Sequence, residues 1–152
     1  MLFLEENLDF LVFGILGLMS FIMLWLVVER YVYYARICLH QFTHEQTLQI
    51  ALTNHLTFIA TVGSNAPYVG LLGTVLGIML TFYQMGQGNG INIQAIMTGL
   101  ALALKATAAG LFVALPAIVF YNMLLRKVDV LMAQWKALQD QKLYPDPNDQ
   151  EA

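Results

Sequence analysis

Four side chains stand out as chemically able within a long apolar stretch: Thr74, Thr81, Lys105 and Thr107. A threonine hydroxyl both donates and accepts a hydrogen bond, so a file of them can line a polar interior. Lys105 is the only charged residue between Gln46 and Leu125. An ammonium at the centre of a bilayer costs at least about 2.5–3.5 kcal/mol and marks a cavity, an ion path or a partner. Two plainer readings stand beside these. Threonines in membrane helices bond back to their own carbonyls, and a lysine near a span's end snorkels to the interface. Thr57, Thr61, Ser64, Thr74 and Thr81 recur at helical spacing, which places them on one stripe.

Other reactive residues promise less. His40 and His44 stand four apart, as metal ligands on a helix do, but no third ligand accompanies them, so a solvated face is expected and no metal site. The lone Cys38 excludes an internal disulfide. No nucleophile–base pair, phosphate loop or dinucleotide fingerprint occurs, so neither a soluble-type enzyme site nor a cofactor is expected. With a formal net charge of −3 and no basic, aromatic-interleaved patch, nothing points to nucleic acid.

These residues need elements to position them, and composition says which. Of the 152 residues 59% are apolar and 11% charged, against about 25% charged in an ordinary soluble domain. A surface built from such uncharged stretches could not be solvated. The expected fold class is an all-α membrane protein, a single membrane domain in contact with lipid. Phe10 to Val28 is an uncharged run of spanning length, closed by Glu29 and Arg30 and belted by Trp25, Tyr31, Tyr33 and Tyr34. No basic segment precedes it, so it is expected to be retained rather than cleaved.

The uncharged stretch from Gln46 to Gly86 is too long for one span, and Gly63 to Pro67 divides it. A proline is tolerated in the first turn of a helix. The expectation is therefore a helix from His44 to Val62 leading into a span from Ala66 to Gly86, with Pro67 as the break. Gly86 to Gly90 is a polar turn. The third span begins near Ala95 and runs towards Pro116, with its helix continuing along Val128, Leu131, Trp135 and Leu138; Tyr144 to Ala152 is a loose tail. The spans thus fall at about 10–28, 66–86 and 96–117.

Lys and Arg in the short connections set orientation. Arg30 and Arg36 follow the first span, and Arg126, Lys127, Lys136 and Lys142 follow the third, whereas the N-terminal segment carries only Glu5, Glu6 and Asp9. The expectation is N-out and C-in, with 1–9 and 87–95 periplasmic and 29–65 and 118–152 cytoplasmic, including helical extensions of spans two and three.

Spans two and three form an antiparallel hairpin. Centred near residue 90 or 91, it sets Thr74 level with Thr107, Pro67 nearly level with Pro116, and Lys105 near Leu76. Gly70, Gly73 and Gly77 in one helix, and Gly99, Ala103 and Gly110 in the other, are small residues of the kind that let membrane helices approach closely. Span one lacks that pattern and is expected to face lipid.

The segment from Asn65 to Met79, Asn-Ala-Pro-Tyr-Val-Gly-Leu-Leu-Gly-Thr-Val-Leu-Gly-Ile-Met, resembles the second-helix signature of the ExbB/TolQ/MotA proton-channel group. The segment from Ala106 to Asn122 resembles its third-helix signature. The likeness covers Phe10 to about Leu138 and is greatest to the ExbB branch. It implies a ring-forming homo-oligomer, a pentamer, in the bacterial inner membrane. The ring would enclose helices of a single-span ExbD-type partner whose intramembrane aspartate takes part in proton flow, and a TonB-type protein would relay the motion to outer-membrane nutrient receptors. The family's polar pore residues carry over to Thr74 and Thr107.

One departure from the pattern is notable. Relatives with a glutamate in the third helix have it where this chain has Leu102, and one turn later, on the same face, stands Lys105. The partner's aspartate is then the implied counter-charge for that lysine. Three alternatives stay open: a TolQ-type role in envelope constriction, a passive scaffold for a partner helix, and a self-sufficient channel. The last lacks an intramembrane carboxylate, and a flagellar stator should carry a fourth span.

Overall fold

A computed structural model describes the backbone of residues 2–87 and 93–143. The expected turn residues Gly88 to Gly90 and the tail from Tyr144 lie outside the described residues. Four α-helices and one 3-10 turn make up the fold, with no strand among the described residues: α1 Leu2–Arg36, a 3-10 turn Leu39–Gln41, α2 Glu45–Thr53, α3 Leu56–Gln87 and α4 Ile93–Leu143. Three of them, α1, α3 and α4, are long and apolar enough to cross a membrane. Only 17%, 28% and 22% of their apolar windows are buried within the chain, so most of each apolar surface is left for lipid or other chains.

The core has two parts. Near the α3–α4 hairpin, Val12 and Leu16 of α1 pack on Ala66, Ala106 and Ala114. Further along, Met23 and Tyr34 of α1 meet Leu48 and Leu52 of α2, Ile59 and Val62 of α3, and Leu124, Val128 and Trp135 of α4. Val12, Leu16, Met23, Arg30 and Tyr34 form one buried stripe along α1 at helical spacing. Span one is therefore not wholly lipid-facing. Its two glycines do face open space, with nothing within 4 Å of a Cβ built on Gly14 or Gly17.

The division of the second uncharged stretch differs from the expectation. No interruption occurs at Gly63 to Pro67; α3 runs unbroken from Leu56 to Gln87 with Pro67 inside it. Proline removes the bond to the carbonyl four residues earlier and crowds that carbonyl, yet the side chains before it stay with the helix. Ser64 Oγ donates to the Ala60 carbonyl (3.0 Å) and Asn65 Nδ2 to that of Thr61 (2.9 Å).

The chain instead breaks at Asn54 and His55. His55 adopts φ 65°, a left-handed conformation uncommon outside glycine. Its carbonyl then accepts from the N–H groups of Phe58 (3.1 Å) and Ile59 (3.4 Å), which starts α3.

Polar contacts around the buried Arg30 and Tyr34 hold this elbow. Arg30, 5% exposed, donates Nη1 to the Ala51 carbonyl (3.2 Å) and Nη2 to Glu29 Oε1 (2.8 Å). His55 Nδ1 lies 3.2 Å from Arg30 Nη2 and 3.0 Å from Glu29 Oε2. Tyr34 donates its hydroxyl to the Leu52 carbonyl (2.6 Å), and Trp135 Nε1 donates to the Phe42 carbonyl (3.0 Å). Together these pin α2 between α1 and α4. As expected, α4 continues without a break through Arg126 and Lys127, burying Val128 and Trp135.

Candidate functional site

The hairpin of α3 and α4 is the tightest contact in the molecule, and glycine makes it so. A Cβ on Gly70 would lie 2.6 Å from the Ala106 carbonyl oxygen and 3.0 Å from Thr107 Cα. One on Gly110 would meet the Ala66 carbonyl oxygen at 2.7 Å and Gly70 Cα at 3.0 Å. These obstacles are backbone, so no rotamer change relieves them. Gly73 faces Ala106 and Val12, and Gly77 faces Ala103 Cβ at 2.9 Å. At the turn end of the hairpin, a Cβ on Gly99 would collide with the Thr81 hydroxyl.

Close backbones bring the threonines together. Thr74 and Thr107 hydrogen-bond through their hydroxyls. Thr74 Oγ1 also reaches the Ala103 carbonyl across the interface (3.0 Å) and that of Gly70 in its own helix (3.3 Å). Thr107 Oγ1 lies 3.4 Å from the same Gly70 carbonyl. Two hydroxyl protons thus face several acceptors, so the pair can exchange donors by rotating its hydroxyls without breaking the helices. Thr74 is buried and Thr107 half-buried. Thr81, also buried, bonds back to the Gly77 carbonyl (2.9 Å), as Thr61 does to that of Thr57 (2.8 Å).

Lys105 does not join them. Residues two apart on a helix point about 200° from one another, so Lys105 and Thr107 leave α4 on nearly opposite faces. Lys105 is exposed and has no ion-pair or hydrogen-bond partner among the described residues. A single chain therefore presents two separate features: a hydroxyl pair inside the hairpin and a bare cation on its outer face. Pro67 and Pro116 both lie inside continuous helices. No group of three or more His, Cys, Asp or Glu that could hold a metal occurs among the described residues, and Cys38 is an exposed free thiol.

Sequence reasoning passed over the Glu29, Arg30 and His55 cluster. The charge pair closing the first span was visible, but its partner lies 25 residues further on.

Comparison with known proteins bears on what this hairpin belongs to. Residues 37–137 match the MotA/TolQ/ExbB proton channel family. The biopolymer transport protein ExbB of Helicobacter pylori is 49% identical over 138 residues, covering 91% of this chain and 95% of that protein. The ExbB of Aquifex aeolicus is likewise 49% identical over 135 residues, 89% of this chain and 91% of its own. The Tol-Pal system protein TolQ of Haemophilus influenzae is 44% identical over 81 residues, 53% of this chain but 36% of that protein. With three apolar helices of spanning length and a family match across both hairpin helices, this chain is a multi-pass membrane protein belonging to the MotA/TolQ/ExbB proton channel family.

Proposed function

We propose that this chain is the ExbB-type subunit of an inner-membrane motor driven by the proton motive force. With a single-span ExbD-type partner, it energises a TonB-type protein for nutrient uptake across the outer membrane. The observation that carries this reading is coverage: the ExbB proteins of Helicobacter and Aquifex match nearly end to end, over 95% and 91% of their length, whereas the TolQ of Haemophilus, like the longer ExbB of Neisseria gonorrhoeae, is matched over less than half, 36% and 38%. The chain inserts N-out and C-in and assembles as a pentameric ring around the partner's helices. Thr74 and Thr107, with Thr81 two turns further along, form a polar file inside the hairpin, on the side of α4 turned away from Lys105. Lys105 is a fixed cation for the partner's intramembrane aspartate. An opposite charge nearby favours the ionised carboxylate, so each ring position captures a deprotonated aspartate and releases a protonated one.

The test is co-expression with an ExbD-type and a TonB-type protein. Purification should yield a complex of five copies of the 17.0 kDa chain with the single-span partner, and deletion should abolish TonB-dependent uptake. Co-purification with TolR-type and TolA-type proteins, with uptake intact in the deletion strain, would move the chain to the envelope-constriction branch.

A further inference from the structure

Beside the end of α1, a cavity of about 200 Å³ opens towards α4, lined by Tyr31, Tyr34, Ala35, Lys127, Leu131 and Gln134 among others. Lys127 also borders a shallower depression along α4, with Met123 and Arg126. No carboxylate lines either space. Asp129, the nearest acid in sequence, forms no ion pair with Arg126 or Lys127, and both cations are exposed and unpaired among the described residues.

The donor set is specific. Lys127 offers an ammonium, Tyr31 a phenol and Gln134 a primary amide, all hydrogen-bond donors suited to an oxyanion. The Tyr34 hydroxyl is already given to the Leu52 carbonyl, which fixes that wall. Position along the chain matters as much. Arg126 ends the uncharged run from Ala106 to Leu125, so the cavity lies where apolar span gives way to charge. Met123, on the span side, continues the groove with an apolar surface. A basic pocket between helices at a membrane edge suits an anionic headgroup, with the chains lying along the apolar side.

We propose that this cavity seats the phosphate of an anionic glycerophospholipid, with Lys127, Tyr31 and Gln134 as its donors and Arg126 as a second cation. Native mass spectrometry of the full-length oligomer tests this, with phosphatidylglycerol or phosphatidylcholine of identical chains added to the micelles. The wild type should retain phosphatidylglycerol preferentially. Lys127→Gln should weaken that retention about fivefold, the effect of one cation near the surface, while Lys127→Arg keeps it. Lys127 is exposed, so neither variant removes packing. Lys136→Gln, altering a lysine held 2.7 Å from Glu45, should change nothing. Glycerol phosphate in molar excess should not displace the lipid. Equal retention by Lys127→Gln, equal retention of phosphatidylcholine, or displacement by glycerol phosphate would each overturn the assignment, the last by making this a site for free phosphate.

Discussion

At the scale of single residues, the two polar features of the hairpin make separable predictions. Thr74→Val and Thr107→Val each delete one hydroxyl at nearly constant volume. An interhelical hydrogen bond in a membrane contributes on average about 0.6 kcal/mol, so the oligomer should assemble with a barely lowered thermal midpoint. If the pair lines a proton path, TonB-dependent uptake per assembled complex should fall far more than stability does. Normal uptake in both variants would reduce the pair to helix packing. Lys105 is exposed and meets no partner within the chain, so Lys105→Met should leave folding untouched. Uptake should be lost in Lys105→Met and largely kept in Lys105→Arg, because the proposed role needs charge rather than titration. Equal loss in Met and Arg variants would argue for a lysine-specific proton carrier instead.

At the scale of helices, backbone proximity and the elbow give the next expectations. Gly110→Ala would set a methyl 2.7 Å from the Ala66 carbonyl oxygen. Overpacking of that kind costs about 1–3 kcal/mol, visible as a lower melting temperature of the purified oligomer. Gly14→Ala meets nothing within 4 Å and should be neutral or gain roughly 0.5–1 kcal/mol from helix propensity. Arg30→Met takes its side-chain donor from the Ala51 carbonyl and leaves the Glu29 carboxylate with His55 alone. The cost should be about 1–3 kcal/mol, and limited proteolysis should cut sooner near Asn54. Unchanged protease resistance would show that apolar packing alone holds the elbow.

Much of this element-level order was readable beforehand. Span lengths follow from uncharged runs, and hairpin symmetry alone set Thr74 against Thr107. Helical phase alone also sets Lys105 and Thr107 on nearly opposite faces, about 200° apart. The break at His55 was not readable, because a left-handed histidine is sustained by Arg30 and Glu29, contacts remote in sequence. Nor could Pro67 be distinguished from a helix start by local rules. What keeps α3 continuous there is packing, with Ala66 fully buried and a Cβ on Gly63 only 2.9 Å from the Ile118 side chain.

At the scale of the whole molecule, the lone cysteine is a ready reporter of orientation. Cys38 is exposed, just past the end of α1. In the proposed N-out, C-in arrangement an impermeant maleimide should label it in inverted membrane vesicles and not in intact spheroplasts. Labelling in spheroplasts would reverse the topology, and with it the side from which α2 and the far end of α4 are reached.

Those two ends of α4 are joined in a way that has a mechanical meaning. The helix is 51 residues long without a break, about 75 Å at 1.5 Å per residue, while the apolar core of a bilayer is about 30 Å thick. From Arg126 to Leu143 about 27 Å of it stands clear of the membrane, as a rod to which α1 and α2 are fastened as far as Trp135. A rod held in that manner turns tilt into displacement. Leaning the membrane part by about 5° would carry the far end sideways by roughly 2 Å, given that length. In the proposed complex, movement of a carboxylate past Lys105 would then be felt at Trp135 and at the α2 fastened to it, without any hinge having to open.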